Sequence, residues 1–225
     1  MKLKDFINRS IDYDDSIYML WESKSEAEWN KALDHYWTRV ANYKTYNIER
    51  EFYTLDHKEI EIMNEEEFFL FLKEKYFPWK FGETRWCKTS IKNLEKNNTK
   101  DLLDIKNRII SADKDDIKKC LKTAMEVKGL GVAGAAGLLS ILFPQKFGTV
   151  DQFLVASLLR TREFCNSEKM QEMDSRRQSL KVDDGVYLEK ILRKKSKELN
   201  DTFRTSEWTP RKIDMVLWCI GRWYD

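Results

Sequence analysis

An all-α fold is predicted by three features of the 225-residue chain. Glycine and proline are scarce, at eight and three; apolar side chains recur at three- and four-residue spacing; and strand-like alternation is nearly absent. Such spacing gives each helix one apolar face, and a chain of this length can bury those faces in a substantial core. Hydrophobic residues make up 42% and charged residues 35% of the sequence, which predicts a globular body with a heavily charged exterior.

Taken in order, Trp29, Leu33, Tyr36, Trp37 and Val40 share one face of an amphipathic helix between Ser25 and Tyr46. Tyr53–Met63 reads as a short strand or a loop. Asn64 followed by Glu67 is a capping pattern ahead of Phe68, Phe69, Phe71 and Leu72, and Pro78 is expected to end that helix. Further helices are expected at roughly 84–97, 99–110, 113–127, 132–143, 150–162, 186–199 and 210–223, the last capped by Thr209 with Pro210 in its first turn. In that last helix Ile213, Val216, Leu217 and Ile220 form a core face flanked by Trp218 and Trp223. Phe164–Asp184 is polar without clear periodicity. Eight to ten helices result, with no internal repeat.

No apolar run approaches the ~20 residues of a membrane-spanning helix, and the first residues carry no signal-peptide pattern, so an intracellular, cytoplasmic protein is expected. Cys87, Cys120, Cys165 and Cys219 are scattered without a Cys-x-x-Cys pair, which argues against a zinc ribbon, a clustered iron–sulfur loop and a disulfide framework; buried thiols are expected. His35 and His57 lack the acidic spacing of a metal site. Net charge is +2, but residues 1–112 carry 19 basic and 21 acidic side chains and residues 113–225 carry 21 and 17, so the second half is the better place for an anionic partner. Its basic residues Arg176, Arg177, Lys181, Arg193, Lys194, Lys195 and Lys197 could track a phosphate backbone, or form a solvated face.

Five of the eight glycines fall at 129, 131, 134, 137 and 148. A helix bearing Ile117, Leu121 and Met125 runs into Lys128-Gly129-Leu130-Gly131, and an almost wholly apolar helix starts at once. The two glycines would permit positive φ and bring backbone N–H groups close to a ligand, while the new helix start adds unpaired donors and partial positive charge. Leu130 can tuck into the angle between the helices. A phosphate fits this turn; close helix packing through small residues is the competing reading. Beyond it, Thr149 and Gln152 form a capping-box pattern that leaves Asp151 in the first turn of another apolar helix without a capping duty.

Gly-Leu-Gly-Val-Ala-Gly-Ala-Ala at 129–136, followed by Thr-Val-Asp at 149–151, resembles the helix-hairpin-helix (HhH-GPD) DNA glycosylase superfamily. The likeness covers about forty residues. It implies a two-lobed helical fold with a helix-hairpin-helix motif at about 113–143. The whole chain would form one helical unit, with a terminal lobe of about 1–60 plus 186–225 and a hairpin-bearing lobe of 61–185. DNA would lie across the cleft, and Lys128, Gly129, Leu130, Gly131, Val132 and Gly134 would meet its backbone. A base flipped from the stack would enter a pocket, with Asp151 stabilising the sugar cation and activating water.

The resemblance also implies a monovalent cation on hairpin carbonyls. Bifunctional members place a lysine two residues after the second hairpin glycine; here that position is Ala133, so a lyase acting through it is not expected. The cysteine cluster that some relatives use is missing, so no iron–sulfur cluster is expected. Lys128 reads as a phosphate contact and Lys146 as a solvated charge. Trp79, Phe81 and Trp86 are candidates for a base pocket, although rings at helical spacing usually belong to a core. A monofunctional DNA glycosylase, monomeric and nucleoid-associated if bacterial, is the leading expectation. A non-catalytic DNA-binding module and a helical protein-interaction domain are the alternatives.

Overall fold

A computed structural model describes residues 11–221 apart from 83, 177 and 178, and every regular element among these is helical. Fourteen α-helical segments and one π turn are found among them, more than expected because several are short. Trp223 and Arg177 lie outside the described residues.

Helix α1 spans Ile11–Glu22 and α2 spans Glu26–Val40. Ser25 caps α2, which buries Trp29, Tyr36 and Val40 as its stripe requires. The stretch read as strand or loop is instead helical: α3, Tyr46–Thr54, ends within it and α4, His57–Glu61, follows. Nine and five residues give too few turns for a stripe to repeat, yet Phe52 and Ile60 are buried and Asp56 with Glu59 forms a capping box.

Asn64 and Glu67 cap α5, Glu65–Leu70, in the expected reciprocal way. Pro78 does not end the run. The chain continues through a π turn, Phe71–Tyr76, into α6, Phe77–Phe81. Phe77 N donates to Leu72 O, one residue further back than in an α-helix, and this wide turn lets a proline without an N–H sit at the head of the next segment. Gly82, at φ +60°, stops it.

Then come α7 (Arg85–Leu94), α8 (Thr99–Ser111), α9 (Ile117–Met125), α10 (Val132–Leu142) and α11 (Gln152–Leu158). The last three are α12 (Glu168–Arg176), α13 (Val182–Phe203) and α14 (Pro210–Gly221). Helix α12 falls in the segment judged aperiodic; Met170 and Met173, three apart, anchor it. Thr209 Oγ1 accepts from Lys212 N at 3.1 Å, so α14 starts as expected.

Helix α14 is a central strut, packing against α2, α11 and α13. Helix α10 buries every residue but Ala133, which explains its apolar composition, and packs on α9. One apolar core runs from Trp21 to Leu217, and a smaller cluster joins Tyr36 and Val40 to Met215 and Cys219. Cys87, Cys120 and Cys219 are buried, but Cys165 is exposed, against expectation. It lies in the turn-rich segment between α11 and α12, where its Sγ reaches only the nearby Arg162 O at 3.6 Å. Among the described residues no helix is long and apolar enough to cross a membrane.

Candidate functional site

Helices α9 and α10 meet in the tight turn that the glycines suggested, but the two hairpin glycines do different work. Gly129 adopts φ +104°, and a Cβ there would stand 2.6 Å from Ser90 O and 3.0 Å from the Phe77 ring. Gly131, expected to share the positive φ, is extended at φ −92° and is the N-cap of α10. A Cβ at Gly131 would meet nothing within 4 Å, so open space rather than packing lies in front of it. Gly131, Val132 and Ala133 N–H groups have no acceptor among the described residues, as at any uncapped helix start.

The side chains of Leu130 and Val132 are buried, so these residues offer a ligand only backbone. Leu130 fills the hairpin angle: a Cβ at Gly134 would lie 3.0 Å from its Cδ2. Gly137 likewise makes room for Tyr76 Oη and the Lys80 stem, so close packing accounts for these two glycines. Lys128 turns back, with Nζ donating to Lys96 O at 2.9 Å while its N–H donates to Asn97 Oδ1 at 3.1 Å. As for the cation implied by the resemblance, Val127 O already accepts from Leu130 N and Lys128 O from Asn97 Nδ2. Each of these carbonyls keeps a second lone pair beyond the hydrogen bond it accepts. Among the described residues no group of three or more His, Cys, Asp or Glu is placed to hold a metal.

The hairpin opens on a cavity of about 800 Å³, and Asp151 lines the same cavity. Asp151 is itself the N-cap of α11, which corrects the capping box assigned to Thr149 and Gln152. Thr149 is engaged elsewhere: its N–H donates to Asp214 Oδ2 at 3.0 Å and its hydroxyl lies 3.2 Å from both Ser140 Oγ and an Arg211 nitrogen. Asp151 Oδ1 accepts from Phe153 N at 3.0 Å and Leu154 N at 3.3 Å. Its Oδ2 faces Lys80 Nζ at 3.3 Å, and the two side chains are 14% and 10% exposed. Lys80 went unnoticed in the sequence. Seventy-one residues separate it from Asp151, and no local pattern marks it.

Beneath this pair lies a buried polar network. Arg211 donates to Glu49 Oε1 at 2.8 Å and to Asp214 Oδ2 at 3.4 Å, and Trp79 Nε1 donates to the other Glu49 oxygen. Burial, aided by the Asp151 charge and opposed by Arg211, raises the Asp214 carboxyl to about 7. Glu189, buried and accepting from Gly148 N at 3.1 Å, is also raised well above the ordinary range by burial. Among the described residues Glu189 Oε1 and Asp214 Oδ1 have no hydrogen-bond partner. Two buried acids thus hold successive N–H groups of the strap that presents Asp151. The charges Arg211 and Asp214, interrupting the otherwise apolar face of α14, were a sequence signal for this network.

The cavity walls are aromatic. Trp79 lines it, under the Arg211 guanidinium at 5.0 Å, and so does Phe81. Opposite elements add Tyr36, Tyr43, Tyr46, Phe153 and Trp218, none of which the sequence assigned to a pocket. The Trp218 ring lies 5.7 Å from Tyr36 and 6.5 Å from Phe153. Trp86 also lines the cavity and is 56% exposed.

The basic residues of the second half are largely neutralised. Arg193 pairs with Asp115, Lys194 with Glu163, Lys195 with Glu198, Lys197 with Asp201, and Arg176 with Glu172 and Asp184. Lys146 also pairs with Asp115, at 2.8 Å. Lys181 borders a separate shallow, charged pocket with Arg176 and Asp184. His57 lies 3.4 Å from Asp56 and against the Phe143 ring. No known protein family, curated protein or solved structure matches the chain.

Proposed function

We propose that the protein is a DNA glycosylase that hydrolyses the N-glycosidic bond of a damaged or modified base turned out of the duplex. One observation carries this reading: the Asp151 carboxylate, the open hairpin face at Gly131 and a set of aromatic walls border a single cavity. A nucleotide can be extruded only if its phosphates are gripped nearby, and the glycosidic bond is reachable only once the base has left the stack. The unpaired N–H groups at the start of α10 suit the phosphates. Ring faces such as Trp79 and Trp218 suit a flat base.

Asp151 then has the chemistry required. Its charge favours the positive charge that develops on the sugar as the base departs, and the same carboxylate can orient and deprotonate water. Lys80, hydrogen-bonded to Oδ2, fixes the carboxylate from the opposite wall. The reading is tested by incubating the protein with duplexes bearing a panel of lesions and scoring abasic sites by alkaline cleavage. Excision by the wild type and its loss in Asp151→Asn are expected. Excision retained by that variant removes Asp151 from the mechanism. Salt-dependent duplex binding without excision of any base favours a binding module.

A second reading is favoured by Lys80 alone. Its amine, after passing a proton to Asp151, would attack C1′ in place of water, displace the base and leave an imine to the opened sugar. Borohydride would reduce that imine to a stable adduct, absent in Lys80→Gln. Hydrolysis through Asp151 predicts no adduct.

A further inference from the structure

We propose that Glu189 and Asp214 are positioning residues for Asp151: by holding the N–H groups of Gly148 and Thr149 they fix the strap that sets the Asp151 carboxylate against Lys80 in the cavity. The inference rests on the glycosylase reading and deepens it by naming what orients the acid.

The strap joins α10 to α11 and has no regular structure after the turn at 144–146. Its first half is pinned through carbonyls: Pro144 O accepts from Arg211 N at 3.4 Å and Lys146 O from Arg193 Nε at 2.7 Å. Among the described residues, 148–150 make no backbone–backbone hydrogen bond. Two of their N–H groups go to acids instead, Gly148 N to Glu189 Oε2 at 3.1 Å and Thr149 N to Asp214 Oδ2 at 3.0 Å. The acids stand on α13 and α14, which close on Gly148. A Cβ there would lie 2.5 Å from Leu192 Cδ1, 2.8 Å from Pro210 O and 3.1 Å from Asp214 Cβ. Val150, the next residue but one, is fully buried. From Thr149 to Asp151 the chain can span at most about 7 Å, so a shift of the clamp passes directly to the carboxylate.

A buried hydroxyl or amide would accept from an N–H at less cost than a buried carboxyl. Acids at both positions make the clamp responsive to charge as well as to shape. Asp214 faces Arg211 on its own helix, Asp151 and Lys80 at the cavity wall, Glu189 of α13 and Tyr36 of α2, with Glu49 of α3 behind Arg211. Glu189 faces Arg193 on its own helix and Asp214. Burial holds Asp214 neutral up to about pH 7. Above that pH its negative charge repels Asp151 and competes with it for Lys80, so the arrangement suited to bond cleavage belongs to the lower-pH side.

The test follows two readouts over the range from acid to alkaline pH in the wild type, Asp214→Asn, Asp214→Ala, Glu189→Gln and Glu189→Ala, after thermal melting shows which are folded. One is the NMR shift of the Phe153 and Leu154 amides, which bond to Asp151 Oδ1. The other is single-turnover excision, with affinity for a duplex bearing a tetrahydrofuran abasic analogue measured alongside. In the wild type both amides are expected to shift with a midpoint of about 7, and excision to fall through the same pH. Asp214→Asn keeps an acceptor for Thr149 N but cannot ionise, and should lose both transitions. Each alanine variant should excise about 100-fold more slowly at every pH while keeping its duplex affinity, and the matching amide variant should recover most of that loss on the acid side. Transitions retained in Asp214→Asn overturn the proposal, as do folded alanine variants that excise at the wild-type rate or lose duplex affinity in step with excision. Should the alanine variants not fold, the pH response of Asp214→Asn decides alone. Amide transitions as expected, with no base excised by the wild type, leave the clamp on Asp151 standing and defeat the glycosylase instead.

Discussion

At Asp151 the two carboxylate oxygens are divided between structure and chemistry. Oδ1 holds the first N–H groups of α11 and Oδ2 meets Lys80 in the cavity. Asparagine keeps the capping acceptor and discards the charge, so Asp151→Asn should shift stability by less than about 1 kcal/mol while excision falls by about 100-fold or more. Melting curves and single-turnover excision measured on one preparation separate the two effects. Asp214 gives a pH prediction. Its carboxyl, raised to about 7 by burial, contributes stability that is full below the unfolded value of about 4 and is lost as pH rises through 7. Glu189 shifts in the same direction. The wild type should melt at a higher temperature at pH 6 than at pH 8, and Asp214→Asn, which retains an acceptor for Thr149 N, should narrow that difference. An unchanged difference would show that Asp214 is not the titrating group.

At the scale of the element, the hairpin glycines make opposite predictions although two residues apart. Gly129→Ala forces a Cβ onto φ +104° and toward Ser90 O, and should cost about 2 to 4 kcal/mol by chemical denaturation. Gly131→Ala meets open space at an extended φ and should cost no more than about 1 kcal/mol, yet weaken duplex binding because its methyl projects where a phosphate would approach. Equal destabilisation by both would mean that Gly131 serves packing. The elements themselves were legible where a helix ran for three turns or more, as in α2, α8 and α13. Shorter helices were legible only where a cap or a glycine turn marked their start, as in α5 and α10. Helices α3, α4 and α12 lacked the length for a stripe to repeat, and the π turn before Pro78 has no period of its own in the sequence.

At the scale of the whole molecule, Arg211 joins α3, α10, the strap before α11 and α14 through Glu49, Ser140, Thr149 and Asp214. Arg211→Ala leaves Glu49 and Asp214 buried without their cation, and should destabilise the protein by about 3 to 5 kcal/mol, read as a fall in the denaturation midpoint. An Arg211→Ala protein as stable as the wild type would mean that solvent reaches the network. The sequence by itself determined the helical class, the hairpin and the carboxylate beyond it, because periodicity, glycine clustering and cap chemistry act within a few residues of chain. Only the tertiary structure decided which groups face that carboxylate: Lys80 from α6, the rings of α2 and α14, and the buried acids below it. Their meeting depends on how distant helices pack, and packing is set by the sum of many weak apolar contacts that leaves no mark on any single stretch of residues.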